Sequence, residues 1–128
     1  LINKLLANDI KINITAVMKE TQINGIGYTK TPHIISIFAG RIADTGKDPG
    51  PIIFEVREKV FGTGEVLWAS AREVLNIYQA EQEGADIITC TADLIKKYKK
   101  LKHKDLLEYS RETVQMFYDD AVSSGFTL

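Results

Sequence analysis

The 128-residue sequence has little of what disulfide-bonded, membrane-spanning or strongly charged proteins need. Its one cysteine, Cys90, excludes an internal disulfide and any metal site built from several thiolates. A formal net charge of -1 gives the whole molecule no electrostatic attraction toward nucleic acid or an anionic membrane. No apolar run approaches the roughly 20 residues that cross a bilayer, and the first residues do not read as a signal peptide. We therefore expect a cytoplasmic protein that binds neither nucleic acid nor membrane.

Short apolar segments alternate with amphipathic ones along the chain. The strand-like segments are residues 10–17, 33–39, 65–70 and 86–91. The helix-like segments are residues 1–6, 51–61, 72–83, 93–98 and 104–123, whereas residues 18–31 have only weak helical character. Four nearly continuous apolar strands, each followed by helical sequence, predict a parallel sheet covered by helices.

Two architectures fit this α/β repeat, a small doubly wound sheet and part of a (β/α)8 barrel. No glycine-rich phosphate loop follows a strand, because Gly62-Thr63-Gly64 comes before one. A complete barrel needs about 250 residues, so this length suits half of one. Because residues 1–6 read as a helix already under way, we expect the chain to begin within a larger fold. We therefore expect a half-barrel, with four strands and a long final helix forming a single partial domain over residues 1–128.

Polar residues gather near the carboxyl ends of the predicted strands, where barrel enzymes build their active sites. They are Asn13, Thr15, Ser36, Arg41, Ser70, Arg72, Thr89 and Thr91. A spacing of two places Asn13 and Thr15 on the same face of the first strand. Arginines with hydroxyls and an amide suit a phosphorylated, polyhydroxylated ligand. An equally good interpretation is that Ser36, Thr89 and Thr91 fill the barrel interior and the arginines make surface ion pairs.

Three separated motifs then resemble the C-terminal half of the transaldolase family, which includes the fructose-6-phosphate aldolases. They are Asn13-Ile14-Thr15-Ala16, then Ser36-Ile37-Phe38-Ala39-Gly40-Arg41-Ile42-Ala43-Asp44, and finally Trp68-Ala69-Ser70-Ala71-Arg72. The likeness extends through Gly84-Ala85-Asp86-Ile87-Ile88-Thr89 and the long final helix. It implies the C-terminal half of a (β/α)8 barrel with class I aldolase chemistry. In that chemistry a lysine Schiff base on a ketose phosphate allows a three-carbon fragment to pass to an aldehyde acceptor.

The resemblance also implies a role for each matching residue. Arg41, Ser70 and Arg72 correspond to the phosphate-binding group. Ser36 and Phe38 correspond to substrate-positioning residues at the mouth of the barrel.

Two further roles, and one absence, follow from the resemblance. Asn13 corresponds to a ligand of the dihydroxyacetone unit, and Thr15 to the residue that holds the catalytic water. The Schiff-base lysine of the family lies on the strand before this one, upstream of Leu1, and Lys11 does not replace it. We therefore expect this chain alone to be inactive. We predict no metal and no organic cofactor.

Three functions remain open. The first is transfer of a three-carbon ketol unit between sugar phosphates, and the second is an aldolase-type lyase reaction on fructose 6-phosphate. The third is a non-catalytic sugar-phosphate-binding half-barrel that pairs with a second copy, since exposed parallel edges favour association and hence a homo-oligomer. Two residues depart from the family pattern, Ile37 at a common proline position and Ala71 at an often aromatic one, and Trp68 beside them is bulky. These departures suggest a pocket reshaped for another sugar phosphate or for a sulfonate.

Other signals have simpler interpretations. The basic run from Lys96 to Lys104 indicates a solvated helix end and loop rather than a nucleic-acid site. Cys90, on an apolar strand, is interpreted as a small core residue. On the last helix the side predicted to be buried carries Leu106, Leu107, Val114, Phe117 and Tyr118.

Overall fold

The computed structural model describes residues 1–26 and 29–126, which form two compact units, Leu1–Lys96 and Lys97–Leu128. The first part of the chain contains α1 (Ile2–Leu6), β1 (Ile12–Val17), a 3-10 helix (Glu20–Ile23), β2 (His33–Ile37), α2 (Ala39–Asp44) and α3 (Gly50–Val60). The second part contains β3 (Gly64–Trp68), α4 (Leu75–Gln82), β4 (Ile87–Ile88), α5 (Ala92–Leu101) and α6 (Leu106–Ser123). None of the helices in the described ranges combines the length and apolar character that a membrane span requires.

The four strands form one parallel sheet in the order β1-β2-β3-β4. Each strand therefore pairs with the next one along the chain, as in a barrel, whereas a doubly wound sheet reverses its strand order at a switch point. The predicted parallel α/β repeat is confirmed, and the sequential order is consistent with half of a (β/α)8 barrel.

The core lies between this sheet and the helices that follow its strands. Ile35 and Ile37 of β2 and Val66 of β3 have no exposed surface, and Trp68 of β3 is 1% exposed. They pack in one cluster with α3, whose Ile53 is also fully buried. Alternation along a strand places these side chains on one face, so the intervening residues, including Ser36, point to the other face.

A bulge interrupts β1 beside two of the predicted site residues. Ile14 pairs with Ile35 and Val17 pairs with Ile37, so two residues of β1, Thr15 and Ala16, stand opposite one residue of β2. Ala16 has a φ of 60°, which is uncommon for a residue other than glycine. The extra residue lets Val17 enter the core while Thr15 keeps the same side as Asn13. The prediction that Asn13 and Thr15 share a face agrees with this register.

The structure differs from the prediction around β2 and β4. Strand β2 ends at Ile37 rather than at residue 39, and a helix, α2, occupies residues 39–44, where no helix was expected. The six residues of α2 are too few to show a helical period, and no side-chain cap marks their start. Strand β4 contains only Ile87 and Ile88 instead of residues 86–91.

The last helix forms as predicted, but the side expected to be buried is exposed. The five residues named for that side are each more than half exposed, and none of the residues of α6 is buried. An amphipathic pattern predicts a helix with an apolar side, but it does not specify that the same chain covers that side.

Gly64 provides a test of the packing at the amino ends of β2 and β3. Its strand partner His33 is 3% exposed, and a Cβ at Gly64 would lie 2.7 Å from His33 Nε2. We expect Gly64→Ala to lower the free energy of unfolding by about 1–2 kcal/mol, measured by urea denaturation. The effect stays moderate because His33 also lines a cavity of about 440 Å³, into which the ring can shift.

The matched control is Gly25→Ala, because nothing lies within 4 Å of a Cβ placed there. That substitution should change the free energy of unfolding by less than about 0.5 kcal/mol. Equal stability of the Gly64 variant and the control would show that His33 does not pack closely on the β3 backbone.

Candidate functional site

Most of the predicted site residues lie near or just beyond the carboxyl ends of β1, β2 and β3, whereas Asn13 is the second residue of β1 and lines a cavity with Lys11 and Glu65. Thr15 lies near the end of β1, Phe38 directly follows β2, and Ser70 comes two residues after β3. Loops at this edge of a parallel sheet form the ligand sites of barrel and doubly wound enzymes.

Gly40 joins the segments that follow β2 and β3. Its backbone N–H donates to the carbonyl of Ala69 at 3.2 Å. A Cβ on Gly40 would collide with the carbonyl oxygen of Ser70 and would lie 3.1 Å from Nε of Arg72. The absence of a side chain therefore lets α2 pack directly on the segment that carries Ser70 and Arg72, and it brings Arg41, the next residue of α2, to the same edge.

Ser70 has a strained backbone that its neighbours hold in place. The φ of Ser70 is 65°, in the left-handed region that favours glycine. Ser70 is also exposed to solvent. The backbone N–H of Ser70 donates to Oγ1 of Thr89 at 3.3 Å. Strained residues that persist in a fold cluster at functional sites, and Ser70 lies at the edge where such a site is expected.

Arg72 is held at both its side chain and its backbone. Its Nη2 donates to Oδ2 of Asp44, the last residue of α2, at 2.7 Å. Its backbone N–H donates to Oδ1 of Asn76 at 2.9 Å, and the same oxygen accepts from the N–H of Glu73. The guanidinium remains exposed enough to meet a ligand, since 56% of the side-chain surface is accessible.

Arg41 has a different environment from Arg72. Its guanidinium carbon lies 5.4 Å from the centroid of the Phe38 ring, within the range of a cation–π contact. Across residues 1–26 and 29–126, no carboxylate lies within ion-pair distance of Arg41. Among these residues Arg41 therefore has no carboxylate partner, whereas Arg72 is already paired with Asp44.

Asn13 and Ser36 join across β1 and β2. The Ser36 hydroxyl donates to Oδ1 of Asn13 at 2.7 Å, although Ser36 itself is only 4% exposed. Because the Asn13 oxygen accepts this bond, the amide NH2 of Asn13 is the group left to donate to a ligand. Asn13 and Thr15 are both exposed.

The structure separates the polar residues that the sequence could only group together. Thr91 caps α5, because its Oγ1 accepts from the N–H of Leu94 at 3.2 Å. Oγ1 of Thr89 accepts a hydrogen bond from the backbone N–H of Ser70. The hydroxyls of both threonines therefore accept hydrogen bonds from backbone N–H groups. The ion-pair interpretation of the arginines holds for Arg72, whereas Arg41 has no such partner within residues 1–26 and 29–126.

Three residues that position the site were not identified as such from sequence. Gly40 and Asp44 lie inside the second motif, but only their contacts with Ser70 and Arg72 show what they do. Asn76 lies in α4, and its role depends on a side chain folding back on a preceding loop, which spacing does not reveal.

The departures from the family pattern lie beneath the mouth rather than in it. Ile37 is fully buried, Trp68 is 1% exposed and Ala71 is 8% exposed, and all three belong to the core cluster. These three residues belong to the core on which the site rests. They could therefore reshape the pocket only indirectly, through the packing of that core.

Cys90 and Lys11 are poorly placed for nucleophilic catalysis. Burial raises the pKa of the Cys90 thiol above its ordinary value, so the thiol stays protonated at neutral pH. Lys11 precedes β1 and lines a cavity with Pro32 and Glu65 at the amino edge of the sheet, which is the opposite edge from Arg41 and Ser70.

Comparison with known proteins gives a consistent result. The family described as Transaldolase/Fructose-6-phosphate aldolase matches residues 1–127. The chain is 32% identical over 100 residues to a "Probable transaldolase" of Methanococcus maripaludis strain C5, covering 75% of this chain and 46% of that protein. It is 30% identical over 99 residues to the protein of the same name from strain C7, with the same coverage.

The chain thus spans about half the length of the curated relatives it matches. The family match runs through all three motifs and through every strand of the sheet. The parallel strand order and the residues gathered at the carboxyl ends of β2 and β3 agree with it. The chain belongs to the transaldolase/fructose-6-phosphate aldolase family.

Proposed function

We propose that this chain supplies the phosphate-binding and substrate-positioning part of a transaldolase active site. In this proposal residues 1–128 form the C-terminal half of one barrel domain, and the enzyme transfers a dihydroxyacetone unit between sugar phosphates. One observation carries the proposal: at Gly40, helix α2 packs closely on the segment that contains Ser70 and Arg72. Arg41, the next residue of α2, lies beside this contact.

The phosphate of the substrate binds between the two arginines and the Ser70 hydroxyl. An arginine presents five N–H donors in a planar fork, and Asp44 occupies one of those of Arg72. The others remain for phosphate oxygens, which arginine binds in a bidentate manner. Arg41 adds a second positive charge against the single carboxylate of Asp44, so the site carries more positive than negative charge.

The sugar itself meets side chains along β1 and at the end of β2. Asn13 donates its amide N–H groups to the dihydroxyacetone unit, with Ser36 fixing the amide through the 2.7 Å hydrogen bond. Phe38 positions the substrate at the mouth. Thr15 orients the water that adds to the Schiff base at the end of the reaction, and the bulge of β1 sets its position.

The bond-breaking chemistry comes from a lysine outside residues 1–128. Its amine condenses with the ketose carbonyl and releases water. The resulting Schiff base accepts the electron pair when the bond between the carbons α and β to it breaks, and the hydroxyl on the β carbon loses its proton to become an aldehyde. An aldose phosphate leaves, and the retained three-carbon unit then adds to an aldehyde acceptor. Without that lysine, residues 1–128 bind substrate but do not turn it over. We also propose that the protein is a homo-oligomer, since open parallel edges favour association.

Product analysis tests the type of reaction. The protein that carries this chain is incubated with fructose 6-phosphate, with and without an aldose acceptor, and products are followed by chromatography. Transfer requires the acceptor, and we expect little free dihydroxyacetone in its absence. Free dihydroxyacetone formed without acceptor would instead identify an aldolase, and no reaction in either mixture would leave only sugar-phosphate binding. Unphosphorylated fructose is the control substrate and should react much more slowly.

A further inference from the structure

We propose that Asp44 is a positioning residue that orients Arg72 toward the substrate phosphate and thereby sets the preference for phosphorylated sugars. The inference rests on the proposed function, because it concerns the same anion site. Asp44 itself touches Arg72 and acts on the substrate through that contact.

The contact joins two segments that follow different strands. Asp44 ends α2, which comes after β2, and Arg72 lies between β3 and α4. The distance from Nη2 to Oδ2 is 2.7 Å, typical of a strong charge-assisted hydrogen bond. The side chains are 56% and 55% exposed, and exposed pairs of this kind contribute little to folding stability. Stability therefore gives a poor account of why the pair is present.

Other contacts of Arg72, together with the hydrogen bond to Asp44, restrict the orientation of its guanidinium. Asn76 fixes the backbone of Arg72, and Nε of Arg72 lies close to Gly40, since a Cβ built on Gly40 would be 3.1 Å from it. The guanidinium is planar and rigid, so the hydrogen bond at Nη2 and the limited space beside Nε together restrict its orientation. The remaining N–H groups are left to meet an incoming anion. Without Asp44 the exposed guanidinium would sample several rotamers and bind phosphate in fewer of them.

Charge alone predicts the opposite effect, which makes the proposal testable. A carboxylate near an anion site repels the anion, so removing the charge of Asp44 should tighten phosphate binding if electrostatics were its only influence. Positioning predicts that removing the acceptor weakens binding. Asp44→Asn removes the charge and keeps an oxygen that accepts from Arg72, whereas Asp44→Ala removes both.

The experiment measures kcat and KM for fructose 6-phosphate and for fructose with the protein that carries this chain. Asp44→Ala should raise KM for fructose 6-phosphate about tenfold with kcat changed less than about twofold, as for a weakened charge-assisted contact. Values for fructose should not change. Asp44→Asn should recover most of the affinity. Asp93→Ala is the matched control, because its carboxylate is 96% exposed and lies 4.0 Å from Lys96, and it should leave both substrates unaffected.

Each other outcome has a defined meaning. Tighter binding of fructose 6-phosphate by both Asp44 variants would assign Asp44 a purely electrostatic effect and overturn the proposal. Equal losses for both substrates would assign it a structural role and do the same. If Arg72→Ala abolishes the preference for the phosphorylated sugar and Asp44→Ala does not, only the role of Asp44 fails. If the unmodified protein shows no preference, the proposed function fails together with it.

Discussion

Arg72→Ala should weaken binding of a phosphorylated substrate by about 1.5–3 kcal/mol, the range for a hydrogen bond to a charged group, and leave an unphosphorylated analogue unaffected. The guanidinium is exposed at the carboxyl edge of β3, and its ion pair with Asp44 occupies only one of its donors. If Arg72 binds phosphate as we propose, its removal should delete phosphate contacts while the exposed surface of the protein is otherwise preserved.

Paired measurements of KM for fructose 6-phosphate and fructose test this selectivity. Arg57→Ala is the matched control, because Arg57 also pairs with a carboxylate, that of Asp86 at 3.5 Å, but lies in α3. Any effect of the control should be the same for both substrates. A loss of equal size for both substrates in Arg72→Ala would show that Arg72 supports the fold rather than the phosphate.

Gly40→Ala should damage the fold and the site together. The new methyl group would collide with the carbonyl oxygen of Ser70 and would lie 2.8 Å from the Cβ of Ser70. Gly40 itself is buried. A backbone carbonyl cannot rotate away as a flexible side chain can, so α2 or the segment at Ser70 must move. We expect the free energy of unfolding to fall by about 3 kcal/mol, the upper part of the range for overpacking, measured by urea denaturation.

The same movement should separate Arg41 from the segment that carries Ser70 and Arg72. The preference for fructose 6-phosphate over fructose should therefore fall as well, under conditions in which the variant remains folded. Gly64→Ala is the control for a packing defect away from this edge, and it should lower stability without changing the preference. A Gly40→Ala protein of unchanged stability and preference would contradict the close approach of α2.

The predictable part of the fold is the part encoded by local pattern. Strands β2 and β3 are continuous apolar runs, and the structure confirms both, with Ile37 and Trp68 buried as expected of strands covered by helices. Helix α2 has neither the length nor the side-chain cap that would allow its prediction from sequence. Its position depends instead on the packing of Gly40 against Ser70. The exposed side of α6 could not be predicted either, since the pattern does not state what covers it.

The candidate site divides in the same way. The motifs predict that Ser70 and Arg72 follow the third strand, and in the structure both residues lie between β3 and α4. Asp44 contacts Arg72 from 28 residues away, so that contact exists only once the chain folds. Asn76 is only four residues from Arg72, but its side chain can accept from the Arg72 N–H only in the turn that precedes α4. The positive φ of Ser70 likewise could not be predicted from the amino-acid sequence around it.

The most direct test of the central claim is borohydride trapping of the protein that carries this chain. The protein is incubated with fructose 6-phosphate, reduced, and analysed by intact mass and peptide mapping. The account predicts a single reduced three-carbon or sugar adduct on a lysine outside residues 1–128, and no adduct without the sugar phosphate. The absence of any adduct, or an adduct on Lys11 or another lysine within residues 1–128, would contradict it.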